Sequence, residues 1–123
     1  MNPPKIESLN HVAIEVQDLN KALHFYREIV GLRELTCPPD AISKGIRWFE
    51  LPEGRMLHLI ENLNVKPTER AHFALTVSDV SAWRAHLALC GNELIEPKVN
   101  LYDAERVFVR DPSGNLLEFV RWL

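Results

Sequence analysis

The sequence predicts an α+β fold: two tandem βαβββ units whose strands form a curved mixed sheet around a shared cleft. Three observations lead there. The segment His11-Val-Ala-Ile-Glu-Val-Gln-Asp18 returns as His72-Phe-Ala-Leu-Thr-Val-Ser-Asp79, 61 positions later (72 − 11). The closing segments return too: Pro52-Glu-Gly54 before Met56-Leu-His58 becomes Pro112-Ser-Gly114 before Leu116-Leu-Glu118, an offset of 60 (118 − 58). Between these landmarks each half carries one stretch of helical apolar spacing and several short runs suited to strands. The repeat sets His11 opposite His72 and His58 opposite Glu118, so metal-capable side chains fall on two equivalent pairs of positions.

The elements follow in order. From Asn10 to Val16, Val12, Ile14 and Val16 share one face of a strand, and His11, Ala13 and Glu15 share the other. Asp18 is placed to cap a helix, its carboxylate accepting from amides of the first turn. Ala22, Leu23, Tyr26, Ile29 and Val30 continue at helical spacing, and Gly31 closes the helix. Strands are predicted near Leu32–Thr36, Ile46–Leu51 and Arg55–Glu61, the last two joined by Pro52-Glu-Gly54. The polar stretch Asn62–Arg70, with Pro67, connects the halves. The second half then supplies a strand at Ala71–Val77 and a helix capped by Asp79 that carries Val80, Trp83 and Leu87 and ends at Gly91. Further strands follow near Leu94–Glu96, Arg106–Arg110 and Asn115–Arg121, with a tight turn at Asp111-Pro-Ser-Gly-Asn115 and an irregular Pro97–Asp103. The units span about 6–62 and 70–123 within one domain, 1–123; two copies are too few for a stacked array. If each helix covers the Val12/Ile14 or Phe73/Leu75 face of its sheet, His11 and His72 point into the hollow between the sheets.

Composition narrows the classes. The formal charge of −3 comes without a basic cluster, which excludes a nucleic-acid footprint. No apolar run approaches the roughly 20 residues of a membrane-spanning helix. The polar, proline-rich start Met-Asn-Pro-Pro-Lys lacks a signal-peptide pattern, so a cytoplasmic protein is expected. Cys37 and Cys90 form neither a CxxC nor a disulfide framework and are expected to be reduced thiols. No nucleophile-elbow serine and no glycine-rich phosphate loop is present.

Leu9-Asn-His11-Val-Ala-Ile-Glu-Val-Gln-Asp18-Leu, Phe25-Tyr26-Arg, Gly31-Leu, His72-Phe-Ala-Leu-Thr-Val and Arg110-Asp-Pro-Ser-Gly-Asn-Leu-Leu-Glu118 occur in that order. In this arrangement the chain resembles the vicinal oxygen chelate superfamily over essentially its whole length. That group includes glyoxalase I, extradiol dioxygenases, methylmalonyl-CoA epimerase, fosfomycin-resistance thiol transferases and bleomycin-binding proteins. The resemblance implies a metal-binding cleft with ligands from the first and last strand of each unit, here His11, His58, His72 and Glu118. It also implies one divalent ion (Fe, Mn, Ni, Zn or Mg), a small-molecule substrate with adjacent oxygens, and a homodimer.

Histidines with a carboxylate are a common ligand set for such ions and leave positions open for substrate oxygens. Each residue also has a plainer reading. Glu118 is a ligand and general base, or the partner of Arg106 or Arg110. His58 stands where glyoxalase I-like proteins carry a carboxylate; it is a ligand and catalytic partner, or a hydrogen-bonding residue of the pocket wall. Trp48 and Phe108 line the substrate pocket or belong to the core. Arg106 binds an anionic group of the substrate, or pairs with Glu105 or Asp103. His24 and His86 fall on helices and are expected to be solvated or packing residues, with Tyr26 and Trp83 in the core. The leading function is a glyoxalase-like lyase or isomerase acting by proton transfer. The alternatives are an Fe(II) extradiol-type dioxygenase and a metal-free binding or resistance module.

Overall fold

The computed structural model describes residues 2–99 and 101–123 and contains two sheets. The first half supplies β1 (His11–Val16), α1 (Leu19–His24), β2 (Glu34–Leu35), α2 (Pro39–Ser43), β3 (Ile46–Leu51) and β4 (Arg55–Glu61). Its strands lie in the order β1-β4-β3-β2, with β1 parallel to β4 and the other pairs antiparallel. The second half supplies β5 (His72–Thr76), α3 (Val80–Leu89), β6 (Ala104–Arg110) and β7 (Leu116–Trp122), ordered β5-β7-β6. Here β5 is parallel to β7, and β6 is antiparallel to it. The internal repeat is therefore also a repeat of topology, with β5, β7 and β6 standing for β1, β4 and β3. The strand expected at Leu94–Glu96 shrinks to one bridge between Ile95 and Phe108. Pro97 beyond it has no N–H with which to extend the ladder.

Asp18 and Asp79 cap α1 and α3, accepting from the amides of Lys21 at 3.1 Å and Ala82 at 2.9 Å. After His24 the helix widens into a π turn over Phe25–Ile29, where Val30 N donates to Phe25 O. The widening accompanies the burial of two consecutive aromatic rings, Phe25 and Tyr26. Apolar spacing gives no sign of the short α2. Its signal is Pro39 in the first turn, where a proline costs no helical hydrogen bond. Between β3 and β4, Glu53 (φ 64°) and Gly54 (φ 74°) both take the left-handed conformation that suits a tight hairpin.

Phe49, Leu57 and Leu59 of the first sheet join Val107, Val109, Leu117 and Phe119 of the second in one core, with Ala22, Phe25, Tyr26, Val80 and Leu87 from the helical segments. Trp83 stacks on Phe119, and the exposed His86 reaches across to the Ile29 carbonyl at 2.7 Å, so both keep the packing roles expected of them.

A buried polar node locks the halves together. Tyr26 Oη donates to Asp111 Oδ2 at 2.7 Å, while Asp111 Oδ1 accepts from the amides of Ser113 and Asn115. Asn115 Nδ2 donates to the Glu15 carbonyl at 2.7 Å, and the Gln17 amide donates to Ser113 Oγ at 2.8 Å. Burial, then the charge of Asp111 and its hydrogen bond, push the Tyr26 phenol well above its usual pKa. The hairpin turn read from the sequence is thus also the bolt between units. Gly114 sits in this turn at φ +89°, directly beneath Pro67 of the connector.

Cys37 and Cys90 are both free thiols. Among the described residues, no helix is long and apolar enough to cross a membrane. With the helices and core on one side of each sheet, the opposite faces are left to carry chemistry.

Candidate functional site

The alternation of β1 turns Val12, Ile14 and Val16 toward the core and leaves His11, Ala13 and Glu15 exposed on the other face. Register then selects their neighbours. His58 lies across from Ala13 on one side and Trp48 on the other, so all share that face. In the second sheet Glu118 lies across from both Ala74 and Phe108, which puts it on the same face as His72, Phe108 and Arg106.

The first sheet holds a stack of three rings. His58 lies between His11, at 4.1 Å between centroids, and Trp48, at 4.8 Å, with interplanar angles of 16° and 14°. Trp48 therefore walls the histidine face and does not enter the core. His11 Nδ1 donates to Asn10 Oδ1 at 2.8 Å, which leaves Nε2 as the ring nitrogen outside that bond. His58 Nε2 is buried without a hydrogen-bond partner, the one such side-chain nitrogen or oxygen among the described residues. An unpaired buried polar atom costs about 1–3 kcal/mol, a cost that a bound group would remove. Burial and, second, the neighbouring His11 lower the His58 pKa from its usual value, which favours the neutral imidazole.

The second sheet holds the other pair. His72 Nδ1 lies 2.7 Å from the Arg70 carbonyl, and His72 Nε2 lies 3.0 Å from Glu118 Oε1. A carbonyl can only accept, so Nδ1 carries the proton of a neutral ring. Nε2 then faces a carboxylate oxygen with a lone pair on each side. A proton shared by the two atoms, or a metal ion between them, satisfies such a contact. Two ligand atoms each ~2.1 Å from a common ion stand about 3.0–3.4 Å apart, so this separation fits a chelating pair.

Arg106 approaches the same carboxylate, with Nη1 at 3.7 Å from Glu118 Oε2. The salt-bridge reading of Glu118 is thus partly realised beside its contact with His72. Glu105 pairs with Arg121 instead of Arg106. Phe108 is buried and meets the His72 ring edge-on at 5.2 Å. His72 also borders a 510 Å³ cleft between β1, β5 and the connector, together with Ala13, Glu15, Asn64 and Lys66.

The structure therefore brings the four sequence-predicted ligands together as two pairs, His11 with His58 and His72 with Glu118. Among the described residues of one chain, no group of three or more His, Cys, Asp and Glu side chains is arranged to hold a metal ion. Sequence reasoning missed the supporting partners, the Asn10 side chain and the Arg70 carbonyl. Their only signal is position, one and two residues before the histidine that opens each unit.

Comparison with known proteins agrees with this fold. The profile of the Glyoxalase/Bleomycin resistance protein/Dioxygenase superfamily matches residues 8–119. Lactoylglutathione lyase GLX1 of Arabidopsis thaliana is 31% identical over 122 residues, which is 90% of this chain and 43% of that protein; the chain spans less than half the length of this relative. Among solved structures, a glyoxalase family protein of Bacillus anthracis superposes with a TM-score of 0.89 at 27% identity, covering 99% of this chain and 100% of that one. The fosfomycin resistance protein FosX of Listeria monocytogenes shares the fold, with a TM-score of 0.80 at 19% identity over 94% of this chain and 91% of its own.

Proposed function

Because this chain belongs to the glyoxalase/bleomycin resistance/dioxygenase superfamily, we propose that it is a divalent-metal-dependent enzyme of glyoxalase-like type, a cytoplasmic lyase or isomerase. Its substrate is a small molecule with adjacent oxygens, on which it moves a proton. The observation that carries this reading is the 3.0 Å approach of His72 Nε2 to Glu118 Oε1, a separation that two atoms holding one ion would share.

His72 with Glu118, and His11 with His58, are the residues that would hold the ion (Fe, Mn, Ni, Zn or Mg). Since one chain keeps these as separate pairs, the site is completed in a homodimer, where the first sheet of one copy meets the second sheet of its partner. Two-fold symmetry then generates two identical sites. When bound, the ion supplies Lewis-acid stabilisation of negative charge on a substrate oxygen. Glu118, once displaced by the substrate, would act as general base toward the substrate carbon, and His58 would be its partner on the opposite side through a ring nitrogen that does not hold the ion. Trp48 and Phe108 form the walls, and Arg106 contacts the substrate.

Metal uptake tests both parts. Wild type is expected to bind one ion per chain, and His11→Ala and Glu118→Ala each to lose tight binding. When the two variants are mixed and refolded, half the dimers pair unlike chains, and each of these contains one intact site. About a quarter of wild-type uptake should return. No recovery would place the site within one chain. No uptake by wild type would favour the metal-free binding module, the reading that the separation into two pairs also suits. Bound iron with oxygen consumption would favour the dioxygenase.

A further inference from the structure

We propose that Arg106 is an anion-recognising residue of this site, so that the substrate is a small acid whose carboxylate meets Arg106 and supplies one of the two adjacent oxygens. The proposal rests on the function proposed above for the position of those oxygens, and on the surroundings of Arg106 for the rest.

Arg106 shares the face of His72, Phe108 and Glu118, and its side chain is only 12% exposed. A guanidinium does not give up its charge, and burying it calls for a counter-charge. The available one is incomplete. Glu118 Oε2 lies 3.7 Å away, beyond hydrogen-bond range, while Oε1 of the same carboxylate is engaged with His72. The adjacent acid, Glu105, is turned to Arg121.

The guanidinium is nevertheless held in place. Nη2 donates to the Val99 carbonyl, and Cζ lies 5.7 Å from the centroid of the Phe108 ring. Among the described residues, no hydrogen bond engages Nη1 or Nε. Once Glu118 shares its charge with a cation at His72, Arg106 presents a fixed positive fork with open donors beside that cation. A planar carboxylate matches the fork through two parallel hydrogen bonds, whereas a carboxamide lacks both the charge and the second acceptor. The class that satisfies both neighbours is a 2-hydroxy or 2-oxo acid.

Lactate and lactamide, which differ in that one group, are the probes. Calorimetric titration of full-length protein, metal-free and metal-loaded, is expected to show lactate binding roughly 10–100-fold more tightly than lactamide. Arg106→Gln should cut this ratio by at least about tenfold, while Arg106→Lys, which keeps charge and stem, retains part of it. The ratio cancels any general loosening of the site, which would weaken both probes alike. A wild type that treats the two probes equally, or an Arg106→Gln protein with an unchanged ratio, overturns the proposal. Metal content measured on the same samples separates the two readings. Metal uptake without discrimination defeats the assignment of Arg106 alone. Discrimination through Arg106 without metal uptake defeats the metal reading and leaves the acid specificity standing.

Discussion

His72 and Glu118 meet across neighbouring strands with Nε2 and Oε1 3.0 Å apart, the imidazole already tied through Nδ1 to the Arg70 carbonyl. That bond orients the ring and fixes where its proton sits. The spacing suits two atoms that share a proton or an ion.

Divalent metal should stabilise the folded protein. At a hundredfold excess over Kd, binding contributes about 2.7 kcal/mol, which for a chain of this size raises Tm by roughly 10 °C. Scanning fluorimetry with added Mn, Ni or Zn should show this rise in wild type and little of it in His72→Ala. Glu118→Gln is expected to keep weakened metal binding while losing turnover of any substrate found for the wild type. Near-normal turnover in that variant would remove Glu118 as the base.

His58 carries the cost of a buried nitrogen that lacks a hydrogen-bond partner. Its Nε2 is buried and unpartnered, and its ring lies between His11 and Trp48. Phenylalanine keeps the stack and discards the orphan atom. His58→Phe should therefore raise the stability of the metal-free protein by about 1 kcal/mol in urea unfolding, while weakening metal uptake. Loss of stability would mean that the nitrogen already has a partner in solution.

The Tyr26–Asp111 bond should make stability fall at alkaline pH. A phenol whose folded pKa lies above its unfolded value of 10.0 contributes stability that is complete below pH 10 and is lost as pH rises toward the folded value. Tyr26→Phe should lower stability at neutral pH by about 1.5–3 kcal/mol, since the lost bond goes to a carboxylate. The same variant should flatten the decline above pH 10. Unfolding curves measured from pH 7 to 11 test both effects, and an equally steep alkaline loss in the variant would place its origin elsewhere.

Gly114→Ala should be among the more damaging single-methyl changes. A Cβ there would lie 2.6 Å from Pro67 Cβ, in a backbone at φ +89°. Left-handed strain of about 1–2 kcal/mol adds to an overpacking cost of about 1–3 kcal/mol. Gly31→Ala meets no atom within 4 Å and should show the conformational part alone. Comparing the two by urea unfolding separates the terms; equal losses would show that Pro67 yields freely.

Much of the fold was legible in the residue order because its signals are local. The alternation of β1, the caps Asp18 and Asp79, and the turn at Pro52–Gly54 each depend on neighbours a few positions away. The failures have a common origin. The strand at Leu94–Glu96 has suitable residues, yet only Ile95 finds a partner, in Phe108. Asp111 and Asn115 read as turn formers, but their bonds to Tyr26 and Glu15 span most of the chain. Trp48 and Phe108 could not be assigned to a face until register with His58 and Glu118 was known.

The sequence by itself determined the repeat, the sheet-and-helix order and the equivalence of His11 with His72 and of His58 with Glu118, because strand periodicity and duplicated spacing are written along the chain. Only the tertiary structure decided which of these side chains meet. Proximity between strands follows from pairing and register, and proximity between units follows from how the shared core and the Asp111 turn set one sheet against the other. Those contacts join residues far apart in the chain, and they keep His11 with His58 and His72 with Glu118.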